Sequence, residues 1–158
     1  MEPIIRLKDF IQEMDLVGDE AKAFLNIRTG EFVTLSIEDL GAAEDGWDAE
    51  GAPEWQQEVM RKAEEVVSSD DFKELPDKFE IDEYRIMESF CESREVEAQR
   101  WRMLDNIRGK GAFRRFKDTI YDLGIEEEWY RFRDQAFKEI AIGWLEGYQV
   151  AYTDEEEI

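Results

Sequence analysis

The residues of this sequence best suited to binding chemistry are basic, and they are concentrated in one short stretch, residues 100–117. This stretch carries seven Lys and Arg residues against one acid, Asp105, so its charge is +6. The chain as a whole has 41 acids and 20 bases, a net charge of −21, which leaves −27 for the other residues. We call residues 100–117 the basic island. Guanidinium and ammonium groups clustered in this way bind carboxylates and phosphates through charge-assisted hydrogen bonds.

A glycine-flanked turn, Gly109-Lys110-Gly111, lies inside the basic island, directly before a predicted helix. The first N–H groups of a helix have no intrahelical acceptor, and the helix dipole favours an anion beside them. We therefore expect the turn and its neighbours to bind an anion or an acidic partner. The candidate binding residues are Arg102, Arg108, Gly109, Lys110, Gly111, Arg114, Arg115 and Lys117.

Neutralisation of the protein's own acids is an alternative role for the basic island. A predicted helix with Glu83, Glu88 and Glu92 offers such acids. Arg114 can also pair with Asp118, since residues four apart face each other on a helix. In both cases the island would be engaged internally and would not meet a partner.

A phosphate-bearing ligand or single-stranded nucleic acid at the turn from Gly109 to Lys117 is a further alternative. Phe113 or Phe116 can stack on a base if it is exposed, but their helical spacing with Ile120 predicts that both are buried. The strongly negative net charge repels nucleic acid at long range and disfavours tight duplex binding.

Residue types that support catalysis or metal binding are missing or poorly spaced. The chain has no histidine, which removes the commonest general base and metal ligand. Its one cysteine, Cys91, lies on the apolar face of a predicted helix and reads as a buried thiol. The acidic loop over residues 44–51 does not match a calcium loop, since Gly46 and Gln57 stand where carboxylate ligands belong. We predict a non-enzymatic protein with no catalytic residue, no metal and no cofactor.

Hydrophobic periodicity predicts an α+β fold, a mainly helical single domain with an early β-hairpin. Alternation on both sides of Arg28-Thr29-Gly30 predicts the hairpin, which must pack on a helix, another strand or a second copy to be stable. Helical spacing and stop signals predict helices over residues 7–16, 53–68, 96–107 and 126–148, after Asp82, and from Phe113 to Gly124. Residues 72–79 are expected to form a connector. The predicted domain covers residues 1–150, followed by an acidic C-terminal tail at residues 151–158.

The composition excludes several classes of protein. Apolar residues make up 42% of the chain and aromatic residues 13%, which is too hydrophobic for an acidic disordered segment. No stretch approaches the roughly 20 apolar residues that span a bilayer, and the N-terminus lacks the pattern of a secretory signal. We expect a cytoplasmic protein with no membrane partner.

Four segments, taken in order, identify a family resemblance. They are FLNIRTGE at residues 24–31, LPDKF at 75–79 followed by EYRIM at 83–87, RGKGAFRRFKD at 108–118, and EEWYRFR at 127–133. The sequence resembles the bacterial uncharacterised protein family 0158 over about residues 7–146, and the RGKG segment is the most specific part. The resemblance leaves residues 41–51 and the tail unmatched. It implies a small cytoplasmic bacterial protein, and it carries no activity to transfer.

The leading hypothesis from sequence is a non-enzymatic interaction or regulatory module. Its basic island would dock an acidic protein partner, or the acidic surface of a second copy. Charge segregation of this kind steers association more than it adds affinity.

Overall fold

A computed structural model describes residues 2–46 and 51–154 of the chain. The fold is α+β and mainly helical, as predicted, with 61% of the described residues in helices. The helices are α1 (Leu7–Leu16), α2 (Ile37–Glu44), α3 (Glu54–Ser68), α4 (Lys78–Ile81), α5 (Glu83–Glu92), α6 (Glu97–Asn106), α7 (Ala112–Leu123) and α8 (Glu126–Gly147). The strands are β1 (Ile4–Arg6), β2 (Ala21–Asn26), β3 (Phe32–Ser36), β4 (Phe72–Glu74) and β5 (Ala151–Thr153).

Two compact units divide the described residues, and each is described by itself. The α/β unit is drawn from residues 1–80 and 140–158, and the helical unit is residues 81–139. The expectation that residues 1–150 act as one domain stays a prediction.

The early hairpin of the α/β unit is confirmed. Strands β2 and β3 pair antiparallel, and β4 pairs with the other edge of β2, so the sheet order is β3-β2-β4. The side-chain oxygen of Asn26 accepts hydrogen bonds from the N–H groups of Arg28 and Thr29, which shapes the connecting loop. Strand β4 falls in the stretch that we expected to be a connector. Its three residues are too few to show alternation in the sequence.

Helices cover both faces of this sheet. On one face, a buried cluster joins the sheet to α2 and α3 through Leu35, Leu40, Ala63, Val66 and Phe72. On the other face, the Phe10 ring of α1 contacts Phe32 at 6.2 Å and Trp144 of α8 at 5.1 Å between centroids. The Trp144 indole N–H donates to the carbonyl of Glu74 at 2.9 Å, which ties α8 to β4. The predicted hairpin is therefore stabilised by a third strand and by helices on both sides.

A second, two-stranded sheet joins the two ends of the described chain. Strand β5 pairs parallel with β1, with Ile4 opposite Ala151 and Arg6 opposite Thr153. The first three residues of the stretch expected to be an acidic tail therefore form a strand. The rest of that stretch beyond Asp154, and residues 47–50 of the acidic loop, lie outside the described residues.

An aromatic core holds the helical unit together. The Phe90 ring of α5 makes edge contacts with Phe116, Trp129 and Phe132, at 5.3–6.1 Å between centroids. Helix α5 begins after Asp82, as predicted, and the Asp82 carboxylate caps it by accepting a hydrogen bond from the backbone N–H of Arg85. Among residues 2–46 and 51–154, no helix is both long enough and apolar enough to span a membrane.

Candidate functional site

The basic island forms a helical hairpin in the helical unit. Its two arms are α6 and α7, joined by the turn over residues 107–111. The Asn106 amide donates to Thr119 Oγ1 at 2.8 Å, and the guanidinium of Arg102 lies 3.8 Å from the carboxylate of Asp122. These pairs show that the two helices run side by side in opposite directions, so the exposed faces of both contribute to one surface.

Arg115 organises the turn from inside. Its Nε donates to the carbonyl of Asn106 at 2.7 Å, and its two terminal nitrogens donate to the carbonyls of Arg108 and Lys110. A cation at this point also faces the negative end of the α6 dipole. Arg115 was predicted to be among the residues that bind an external anion. The structure instead holds its guanidinium on the protein's own backbone, so we remove it from the candidate set.

Tyr84 is a second side chain that fixes this junction, and sequence reasoning missed it. Its hydroxyl donates to the carbonyl of Ile107 at 2.8 Å. Its side chain is 39% exposed, although the neighbouring Met87 and Phe90 of the same helix are buried. Only a contact between residues 23 positions apart reveals this role.

The two glycines of the turn allow the backbone to curve around the Arg115 guanidinium. Gly109 and Gly111 have φ angles of +75° and +79°, in the left-handed region. Gly111 is the N-cap of α7, where no side chain accepts a hydrogen bond, and the first turn of α7 carries no acid. Anion binding by the backbone of these two glycines stays a prediction.

Four cations of the basic island are exposed and have no ion-pair partner within the described part of the chain. They are Arg108, Lys110, Arg114 and Lys117. The expected pair between Arg114 and Asp118 is wrong, because no contact of 4.0 Å or less joins them. Of the candidate residues, Arg102 alone pairs with a described carboxylate. Its guanidinium lies 3.8 Å from Asp122, and both side chains are about half exposed.

Of the α5 acids expected to absorb this charge, Glu83 is engaged elsewhere, and neither Glu88 nor Glu92 pairs with a described cation. Glu83 of α5 accepts a hydrogen bond from Arg133 of α8 at 2.7 Å, and that guanidinium also lies 4.2 Å above the ring of Phe137. Arg94, which follows α5 in the chain, pairs with Glu128 of α8. These pairs join α8 to its neighbours without using a cation of the basic island, so the island's charge stays available at the surface.

The aromatic residues of α7 divide between core and surface. Phe116 is 1% exposed and packs against Trp129 at 4.8 Å, as predicted. Phe113 is 42% exposed, so the prediction of burial is wrong for this residue. Tyr121 is 71% exposed and follows Lys117 by four residues, which puts it on the same side of the helix. The exposed face of α7 therefore combines aromatic and basic side chains.

Charge is divided unequally between the two units. The helical unit carries 12 basic and 14 acidic residues, a net charge of −2, which leaves −19 for the rest of the chain. At physiological ionic strength the Debye length is about 8 Å, so a ligand at the basic island is affected mainly by charges nearby. The unit that carries the basic island is therefore itself close to neutral, although the chain as a whole is strongly acidic.

Cys91 is buried, as predicted. Its side chain is fully inaccessible, and burial raises the pKa of the thiol to about 12. A thiol with so high a pKa stays protonated at neutral pH and is a poor nucleophile. Within the described segments, no group of three or more Cys, Asp or Glu side chains is arranged to hold a metal ion.

The chain belongs to an uncharacterised protein family, UPF0158, whose model matches residues 1–158. The match includes residues 41–51 and the C-terminal residues, which the resemblance in the sequence analysis left unmatched. Neither a curated protein nor a solved structure matches the chain.

Proposed function

We propose that this protein is a non-enzymatic interaction or regulatory module of the bacterial cytoplasm, and that its basic island docks an acidic protein partner. The docking residues are Arg108, Lys110, Arg114 and Lys117. The partner is a different acidic protein or a second copy of this chain.

One observation carries the proposal. The four cations are exposed around a rigid turn, and no described carboxylate pairs with them. Among the described residues, these cations form no ion pair that the fold depends on. Their attraction to carboxylates is therefore available for binding an external acid. The turn that presents them is held by Arg115 and Tyr84, so little conformational entropy is lost when a partner binds.

A charge-reversal experiment tests the docking role. The probe is a fluorescein-labelled oligoglutamate peptide, followed by fluorescence anisotropy at about 0.1 M salt, where the Debye length is roughly 10 Å. We expect the double variant Arg114→Glu, Lys117→Glu to weaken binding by about tenfold or more, because two attractive contacts become repulsive. Arg115 is left unchanged, since its loss disrupts the turn itself.

A matched control separates the island from overall charge. The double variant Lys8→Glu, Arg131→Glu makes the same charge change at exposed positions outside the island. We expect it to bind the probe within about threefold of the wild type, since neither residue belongs to the basic island and salt screens exposed charges. Equal losses in both double variants, or no binding by the wild type, would overturn the proposal. Sedimentation velocity of the protein without a probe then tests whether the partner is a second copy. It is a second copy if the wild type dimerises and the Arg114→Glu, Lys117→Glu variant does not.

Binding of single-stranded nucleic acid or a phosphate-bearing ligand is the second candidate function. The observation in its favour is the exposure of Phe113 and Tyr121 on the face of α7 that carries Arg114 and Lys117. Aromatic rings beside cations suit stacked bases and backbone phosphates.

Salt dependence tests this second candidate. Oligothymidylate and inorganic phosphate are the probes. Neutralising each phosphate of a single strand contributes a slope of about −0.7 to log K against log salt, so three or four contacts predict a slope of roughly −2 to −3. Absent or salt-insensitive binding of both probes rules this function out.

A further inference from the structure

Two aromatic rings form an exposed pair at the edge of the basic island. The rings of Tyr84 and Phe113 meet edge to face, 6.5 Å apart at the centroids and inclined at 78°. Their side chains are 39% and 42% exposed, whereas Phe90, Phe116 and Trp129 of the same unit are almost fully buried. This pair of partly exposed rings therefore leaves apolar surface in contact with water, although burying that surface in the core would be favourable.

The pair is held in place by a hydrogen bond and by a helix. The Tyr84 hydroxyl donates to the carbonyl of Ile107, at the start of the turn, and Phe113 lies in the first turn of α7. Both rings are therefore fixed before anything binds. Fixed aromatic residues flanked by arginine are typical of the side chains that dominate binding energy in protein interfaces.

Two of the unpaired cations lie next to this aromatic pair. Arg114 follows Phe113 directly, and Lys117 follows it by four residues on the same side of α7. Residues at that spacing have Cβ atoms about 5–6 Å apart. A ligand whose apolar group contacts the rings would thus have the ammonium group of Lys117 within reach along α7.

The geometry favours a peptide over a nucleic acid as the occupant. An apolar side chain can contact two rings that meet edge to face, whereas a flat base stacks on one ring only. Asp118 is exposed on the same helix between Lys117 and Tyr121. A nucleic acid is charged at every nucleotide and cannot adapt its charges to a nearby carboxylate, but a peptide can place its acids only where the cations are.

We propose that the partner docked by the basic island is an acidic segment with an apolar side chain, which packs against the exposed rings of Tyr84 and Phe113 while its acids pair with Arg114 and Lys117. This inference rests on the proposed function and specifies the partner's chemistry.

Two peptides of equal charge test the inference on the full-length protein. Both are fluorescein-labelled oligoglutamates, one with a central Phe and one with Ala at that position. We expect the wild type to bind the Phe peptide about tenfold more tightly, because a ring is buried. The variant Phe113→Ala should lose this preference. The matched variant Tyr121→Ala removes an exposed aromatic residue of the same helix outside the pair and should keep it.

The outcomes separate this inference from the proposed function. If both peptides bind equally well and the variant Arg114→Glu, Lys117→Glu abolishes both, the docking role stands and the role of the ring pair is overturned. If neither peptide binds, both proposals are overturned. If oligothymidylate displaces the Phe peptide and binds more tightly, the partner is a nucleic acid and the inference is overturned. Circular dichroism melting of each variant confirms that it is folded.

Discussion

The guanidinium of Arg115 occupies the space beside Gly111 in the turn of the basic island. A Cβ atom placed on Gly111 would lie 3.1 Å from Nη1 of Arg115, and the φ angle of Gly111 is +79°. The turn residues thus leave room for the guanidinium that binds their carbonyls. The most distinctive part of the sequence, RGKG followed by two arginines, is in this respect a self-contained structural motif that presents the neighbouring cations.

Replacement of Gly111 by alanine tests this contact. We expect Gly111→Ala to lower the free energy of unfolding by about 1–2 kcal/mol, because a left-handed backbone disfavours a Cβ atom and the guanidinium must move. Gly143→Ala is the control. Gly143 lies within α8 with open space around it, so alanine there should stabilise by about 0.5–1 kcal/mol. Urea unfolding measures both, and a neutral Gly111→Ala would contradict the role of this contact.

Truncation of Arg115 tests its hold on the turn. We expect Arg115→Ala to destabilise the protein by about 2–3 kcal/mol, since three carbonyls lose a charged donor. Arg114→Ala, one position earlier and exposed with no described ion-pair partner, should stay within about 0.5 kcal/mol of the wild type. Thermal melts followed by circular dichroism give the comparison. Equal melting temperatures for the two variants would show that the turn does not depend on Arg115.

We predict that glycine at position 149, just after the C-terminus of α8, stabilises the protein. The N–H of Val150 donates to the carbonyl of Leu145, and that of Gln149 donates to Glu146, a Schellman pattern with Gln149 at the left-handed position, φ +58°. Helix α7 ends with the same pattern but has Gly124 there. We expect Gln149→Gly to stabilise by about 0.5–1 kcal/mol.

The same replacement inside the helix is the control for this prediction. Gln135 is exposed within α8, where glycine costs backbone entropy, so Gln135→Gly should destabilise by about 0.5–1 kcal/mol. Chemical denaturation of the two variants should give changes of opposite sign. Destabilisation by both would show that position 149 gains nothing from glycine.

Cys91 makes stability depend on alkaline pH. Burial raises the pKa of its thiol to about 12 in the folded protein, against about 8.5 in an unfolded chain. The unfolded state therefore releases the proton first. The stability that this group contributes is complete below about pH 8.5 and declines towards pH 12, by about 1.4 kcal/mol per pH unit.

Comparison with Cys91→Ala isolates this effect from other titrating groups. Between about pH 8 and 10, the wild type should lose about 1.5–2 kcal/mol more unfolding free energy than the variant. Denaturant unfolding at the two pH values provides the measurement. Parallel losses in the two proteins would indicate that the thiol ionises as easily in the folded state as in the unfolded state.

Much of the helical unit follows from local sequence signals. Gly109 and Gly111 separate α6 from α7, Gly124 ends α7, and Asp82 caps α5, each as predicted. Such signals act within a few residues and can be read without tertiary contacts. The two-stranded sheet of β1 and β5 could not be predicted, because its strands have three residues each and lie almost 150 positions apart.

The sequence by itself determined that the protein has a basic island interrupted by glycines, since composition and spacing are local properties. Tertiary structure decided what each member of the island does. Arg114 and Arg115 are adjacent and alike in chemistry, yet one side chain is exposed and the other binds three carbonyls of the turn. Successive residues of a helix point about 100° apart, so the packing of α7 against α6 sends one arginine outward and the other into the junction.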